Sequence, residues 1–406
     1  MPARTAPLRR ELETALPVRP FSVEFWDGTG LASTSGDGPT FRVRSPDALA
    51  YALRAPGQLG LGRAYVSGEL EVDDLDAAIE LLGRWKPPPL DRAARARLAV
   101  AAARAFGLRR PPPVPTAELR PRGRRHSRVR DARAVRHHYD LPGEFFALFL
   151  DQSMTYSCAL FSRGATTLEE AQEAKLELVC RKLTLESGDR VLDIGCGWGS
   201  FAIHAATRHG ARVLGITLSR PQADLARRRV AELGLDDRVE IRVADYRVLD
   251  EPPFDAVVSI GMVEHVGASQ IDVYARQVAR LLRPGGRALN HGIARLRHGD
   301  PEAGPFSERY VFPDAAPLHL SRVLLALERA GLVTDHVEGF AEDYATTLTY
   351  WLTRLEDRLD EAVRLVGPER VRVWRLYLRA ARNGFRNGFT SVYQVRCRPA
   401  QPRGAA

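Results

Sequence analysis

The strongest constraint on the fold is a stretch, beginning near residue 190, in which short apolar runs alternate with helical ones. "RVLDI" is followed by a helical segment at 199–208 and "ARVLGIT" by one at 219–233; "RVEIRV" comes next, then "FDAVVSI" with a helix at 270–282, and "GRALNHGI" closes the series. Strands of this length alternating with helices predict a parallel sheet with helices on both faces. After residue 300 the pattern predicts a Pro-rich loop, a long helical region over 343–382 and a last strand, "FTSVYQVRC".

Inside that stretch, "RVLDIGCGWGS" (190–200) reads as a strand entering a glycine-rich turn and then a helix. Gly195, Gly197 and Gly199 let the backbone pass close to a ligand, and the helix start offers free N–H groups. The turn follows the first strand of the series, where a doubly wound sheet opens its binding crevice. The dinucleotide fingerprint is not met: position 200 is Ser, and the third glycine comes one residue early. The acid that would hold the ribose hydroxyls of NAD is also missing, since the second strand ends "GITLS". Asp193 before the first glycine and "ADY" (244–246) after the third strand fit S-adenosylmethionine (SAM) better than NAD.

The 406 residues suffice for two domains. Residues 1–107 read as a small α+β domain, with strands at "FSVEFWDG" and "PTFRVRS" and helices at 45–56 and 91–106. A Pro/Arg-rich linker follows over 108–126, then a second domain over 127–398 and a tail over 399–406. Charge is uneven. Between Arg84 and Arg136 stand 16 Arg or Lys and three acids, against +9 for the whole chain. Such a stretch suits a polyanion, either nucleic acid or an anionic lipid surface, although a chain with only three lysines favours Arg everywhere. The four cysteines show no CxxC pair and no Cys/His spacing of a zinc site, so no metal is expected and the thiols read as free, in a reducing compartment. With no secretory signal and no apolar run long enough to span a bilayer, the expected location is cytoplasmic.

The second domain resembles the cyclopropane-fatty-acid synthases, SAM-dependent enzymes that modify cis double bonds of lipid acyl chains. The resemblance runs through "HHYDLPGEFFALFLDQSMTYSCALF" (137–161), "AQEAKLELVCRKL" (171–183), "VLDIGCGWGS" (191–200), "ITLSRPQ" (216–222), "ADYRVL" (244–249), "VSIGMVEHVG" (258–267), "ERYVFP" (308–313) and "EDYATTLTYW" (342–351). It implies a Rossmann-like class I SAM methyltransferase with a seven-stranded sheet, and a first domain like that of members acting on membrane phospholipids. One departure is "PFSERYVFPD", with Phe306 and Asp314, where the family often has "PW…KYIFPG". The resemblance sets this loop beside the acyl channel.

The implied reaction explains the residues. An alkene is a poor nucleophile, so the methyl group of SAM must be held against it in a dry pocket. The resulting carbocation must then lose a proton from the new methyl group to close the ring, which requires a base. The resemblance implies a bound bicarbonate in that role, in a pocket of Cys158, Glu264, His291, the backbone N–H of Ile293 and Tyr344. Taken alone, Cys158 reads as a small buried hydrophobe and Tyr344 as core; His291, costly to bury without a partner, has a backbone-satisfied core histidine as its alternative, and His265 is its rival. On extended chain, however, His265 and Glu264 would point opposite ways. For SAM the resemblance implies Tyr156, Ser157, Gly195, Gly197, Thr217, Leu218, Gln222, Asp245 and Tyr246. The expected product is a cyclopropane fatty acyl phospholipid. The alternative is a 10-methylene chain, which a partner reductase would convert to a methyl branch. A nucleic-acid methyltransferase would leave "GMVEHVG" unexplained, and a non-catalytic lipid-binding protein would have no reason to keep both a SAM loop and the full set of pocket residues. The implied partners are an unsaturated phospholipid at the inner membrane face and a second copy of the chain, with no nucleic acid.

Overall fold

The computed structural model describes residues 4–120, 123–139, 141–300 and 304–400, so most of the expected tail lies outside the described residues. The chain divides into two compact units. The first comprises Met1–Leu119, Gly304–Tyr310 and Gly367–Asn383; the second comprises Arg120–Ala303, Val311–Val366 and Gly384–Ala406. The two returns to the first unit fall in segments that the sequence pattern assigned to the second domain. Contacts distant in sequence decide this. Gly62 leaves room for the Phe306 ring, which a Cβ there would meet at 2.3 Å. Asp76 pairs with Arg379 and Arg382, and Glu369 accepts from the Thr116 hydroxyl at 2.7 Å.

In the first unit, strands β1 (Ser22–Phe25), β2 (Gly30–Leu31), β3 (Thr40–Val43) and β4 (Leu70–Val72) form a sheet in the order β2-β1-β3-β4. Helices Asp47–Arg54 and Arg92–Phe106 occupy the predicted segments. The Pro/Arg stretch is not a free linker up to residue 119. Glu118, whose side chain is fully buried, takes a two-pronged ion pair from Arg63 at 2.7 and 2.8 Å, and Tyr51 donates to the Pro113 carbonyl.

The second unit is built on strands β5 (Arg190–Ile194), β6 (Arg212–Thr217), β7 (Val239–Val243), β8 (Phe254–Ile260), β9 (Leu282–Arg295), β10 (Leu332–Gly339) and β11 (Thr390–Pro399), in the order β10-β11-β9-β8-β5-β6-β7. This is the expected seven-stranded α/β sheet. The pairs from β7 through β9 are parallel, while β11 runs antiparallel to both neighbours. Alternation along β5 buries both faces. Val191 packs with Val179, Phe201 and Ala223, which come from helices Leu168–Leu183, Ser200–His209 and Arg220–Glu232. Leu192 and Ile194 pack with Tyr274, Val278 and Val323 on the other side. Sequence reading passed over β10, "LVTDHVEG", an edge strand that buries little beyond Leu332. The predicted helix over 343–382 is three helical pieces: Ala341–Glu356, and two within Leu359–Arg386 that meet at Gly367, where φ is 77°.

Strand order reverses between β5 and β8, so their carboxyl ends diverge into a crevice. The turn after β5 enters that crevice with Gly195 and Gly199 at φ 85° and 84°, values a side chain tolerates poorly.

Candidate functional site

A cavity occupies the crevice. Its wall contains all nine residues assigned to SAM from the sequence: Tyr156, Ser157, Gly195, Gly197, Thr217, Leu218, Gln222, Asp245 and Tyr246. The glycine turn is pinned by two amides, of Gly195 and Cys196, which both donate to the Ile216 carbonyl at 2.9 and 3.0 Å. Thr217 donates to Gln222 at 2.8 Å. The Asp245 carboxylate is clamped by Arg247, which also reaches Asp131 at 2.9 Å. Any ligand donor arriving at Asp245 therefore shares it with a guanidinium that sequence reading did not single out.

Lys175, Asp193 and His265 also line the cavity, outside the nine residues assigned to SAM. Lys175 is 2 % exposed, and its Nζ donates to Ser157 Oγ at 2.8 Å. Burial lowers its pKa to about 8 and raises that of the neighbouring Asp193 to about 7. A buried ammonium and carboxyl at one wall can receive the two charges of an amino-acid group, the end that SAM shares with methionine. His265 is the third. Burial drops its pKa to about 4, so it stands neutral in the cavity wall, with ring contacts to Tyr139 and Phe312. The signal was available for Lys175: a lysine within the buried stripe of an amphipathic helix needs a partner.

The segment carrying Tyr156, Ser157 and Cys158 has no regular structure and is held by side chains. Gln172 donates to the carbonyls of Thr155 and Ser157, Thr347 accepts from the Ala159 amide, and Asp343 accepts from the amides of Phe161 and Ser162. Tyr156 lies against Trp351, with ring centroids 5.0 Å apart.

None of the five residues assigned to the base pocket lines that cavity, but Cys158 and Glu264 are chain neighbours of Ser157 and His265, which do. Cys158 Sγ donates to the Ala159 carbonyl at 3.2 Å and reaches the Phe340 carbonyl at 3.7 Å. Phe340 stacks on His291, and Tyr344 follows one helical turn after Phe340. Glu264 Oε1 accepts from the Ile293 amide at 2.7 Å, so that amide is already engaged. Residues 263–265 form a 3₁₀ turn, not the extended chain assumed from the sequence. Successive side chains there still diverge, by about 120°. Glu264 turns to Ile293 and His265 to the cavity.

Two buried atoms in this group have no hydrogen-bond partner among the described residues, Glu264 Oε2 and His291 Nε2. The protonation of His291 follows from its neighbours. Lys182 Nζ can only donate, and it donates to Gln394 Oε1 at 2.6 Å. The Gln394 amide nitrogen therefore faces His291 Nδ1, at 3.1 Å, and donates to it. Burial, with Lys175 and Lys182 adding to it, holds the ring pKa well below its usual value. The neutral ring thus carries its proton on Nε2, with no acceptor among the described residues. Burial raises the Glu264 pKa to about 7, and it raises the Cys158 thiol well above its usual value. Burial thus disfavours the thiolate of Cys158, which argues against the nucleophile reading.

The residues fit both small molecules that the sequence suggested. The cavity offers a zwitterion site beside a glycine turn. Beside it, the unpartnered Nε2–H of His291 is a donor and the unpartnered Glu264 Oε2 an acceptor, groups whose chemistry suits an anion such as bicarbonate.

Sheet order, glycine turn and cavity define a class I SAM-dependent methyltransferase. More narrowly, the chain belongs to the mycolic acid cyclopropane synthetase family, whose model matches residues 126–395. It is 39 % identical over 408 residues to a "Probable fatty acid methyltransferase" of Mycobacterium tuberculosis, covering 97 % of this chain and 94 % of that one. It is 34 % identical over 373 residues to the "Cyclopropane-fatty-acyl-phospholipid synthase" of Escherichia coli K12, with 92 % and 91 % covered. Among solved structures, mycolic acid cyclopropane synthase CmaA1 complexed with SAH and CTAB superposes with a TM-score of 0.63 at 33 % identity, covering 66 % of this chain and 98 % of that one.

The raised Glu264 pKa has a measurable consequence. The folded chain binds this proton more tightly than the unfolded chain, whose carboxyl titrates near 4.5. Stability from this group is therefore full at low pH and is lost as pH rises from 4.5 through about 7. Glu264→Gln stays neutral throughout. In urea unfolding at successive pH values, its stability relative to the parent should improve between about pH 5 and about pH 8. A pH-independent difference contradicts this assignment.

Proposed function

We propose that the chain transfers a one-carbon unit from SAM to the cis double bond of an unsaturated phospholipid acyl chain and closes it to a cyclopropane, with bicarbonate taking the proton. The observation that carries the reading is the pair of unpartnered atoms, Glu264 Oε2 and His291 Nε2, in a pocket adjoining the cavity in sequence. When bound, SAM supplies an electrophilic methyl group and bicarbonate a weak base. The chain's own residues orient and protect. Tyr139, Tyr156 and His265, neutral or aromatic, keep the reacting face dry. His291 Nε2–H is positioned to donate to the anion, and Glu264 to accept from it, which leaves an anion oxygen for the substrate proton. Cys158 walls the pocket without forming a bond to carbon.

A second reading ends in an exocyclic methylene: a hydride shift moves the cation to the methyl-bearing carbon, which then loses a proton from that same methyl group, with a reductase acting afterwards. Identity to a "Probable fatty acid methyltransferase" favours it. Docking to an anionic membrane face fits the first unit, where Arg92, Arg95, Arg104, Arg109 and Arg110 are exposed beside Val100 and Leu108. Among the described residues, no helix is long and apolar enough to cross a membrane.

Incubation with SAM and monounsaturated phospholipid vesicles should yield S-adenosylhomocysteine and a lipid heavier by one CH2. Proton NMR then separates the isomers: far-upfield ring protons support cyclopropanation, vinylidene protons the second reading, and unchanged lipid contradicts both. Cys158→Ser should slow turnover by about 10- to 100-fold, the scale of a misplaced reacting group. A folded, SAM-binding Cys158→Ser protein with no activity at all would instead indicate a covalent role.

A further inference from the structure

We propose that Glu177, Cys180, His204 and His209 form a binding site for a zinc-class divalent ion, separate from the SAM cavity. None of the four lines that cavity. Glu177 and Cys180 lie three residues apart on one face of helix Leu168–Leu183, while His204 and His209 come from helix Ser200–His209, which packs beside it. The ligand atoms of Cys180, His204 and His209 all lie within 4.8 Å of one another. Glu177 Oε2 is 3.0 Å from His209 Nε2 and 3.4 Å from His204 Nε2, so both imidazoles aim the same atom at one point.

Carboxylate–histidine contacts alone would account for three of these residues, but not for a thiol brought to the same place. Tetrahedral zinc holds sulfur, nitrogen and oxygen at about 2.0–2.3 Å, with neighbouring ligand atoms about 3.3–3.7 Å apart. The cluster thus needs to close by only about 1 Å. One thiolate, two imidazoles and a carboxylate select a borderline-soft ion over magnesium or calcium. Cys180 is buried, while the side chains of Glu177 and His209 are 36 % and 18 % exposed, which leaves an entry path from solvent. No spacing rule would find the site, because 23 residues separate Cys180 from His204.

The bound ion ties together two helices that serve the cavity. One carries Gln172 and Lys175, which hold segment 155–157; the other begins with Ser200 and Phe201 in the cavity wall.

The test uses the full chain, freed of metal by chelation and titrated with cobalt(II) chloride and then zinc chloride. One equivalent of cobalt should bind with tetrahedral visible bands and a thiolate-to-cobalt charge-transfer band, and zinc should displace it and raise the thermal midpoint. His209→Gln, at the partly exposed edge, should weaken uptake by more than about a hundredfold, beyond the effect of losing an outer partner. Circular dichroism and SAM binding check its fold. Cys180→Ser should remove the charge-transfer band. The proposal is overturned by absence of stoichiometric uptake, by a cobalt spectrum without thiolate character, or by unchanged affinity in folded His209→Gln.

Discussion

One hydrogen bond, from the Gln394 amide to His291 Nδ1, sets what the inner pocket can hold. Its direction is forced from outside. Lys182 has only protons to offer, so it takes the Gln394 oxygen and turns the amide nitrogen toward the ring. Lys182 is in turn paired with Glu338 at 2.6 Å. The relay spans helix Leu168–Leu183, β11, β9 and β10, so the reversed strand and the edge strand of the sheet contribute to the site as well as closing the core. Reverse the amide, and His291 would present an acceptor beside the Glu264 carboxyl, an arrangement hostile to any anion.

An unpartnered buried donor or acceptor costs about 1–3 kcal/mol. Glu264 Oε2 and His291 Nε2 both bear that cost. The proposed bicarbonate would relieve it. The same burial that makes those atoms costly raises the pKa of the Glu264 carboxyl to about 7 and that of the Cys158 thiol well above its usual value. The pocket therefore presents hydrogen bonds and no protein nucleophile, as a carbocation-forming reaction requires.

The alternating strands and the glycine turn were legible because local periodicity encodes them: β5, β6, β8 and their helices fall where the pattern placed them. Motif resemblance then gathered the nine cavity residues. What stayed hidden depends on contacts between distant segments. The return of 304–310 and 367–383 to the first unit rests on partners such as Gly62 and Asp76. β10 buries one end and alternates with charged residues, so its apolar signal is weak. Arg247 and Lys175 act through side-chain partners that no spacing rule reveals. The 3₁₀ turn at 263–265 replaced an assumed strand, yet the divergence of Glu264 and His265 survives, because both geometries separate successive side chains.

The central claim is that the pocket organised by Gln394, His291 and Glu264 holds bicarbonate during turnover. The direct measurement is S-adenosylhomocysteine formation on lipid vesicles in CO2-stripped buffer at fixed pH, with bicarbonate added back. The account predicts a rate that rises and saturates with bicarbonate, and a half-saturating concentration raised in Gln394→Leu while SAM affinity is unchanged. A rate indifferent to bicarbonate in the parent chain would contradict it.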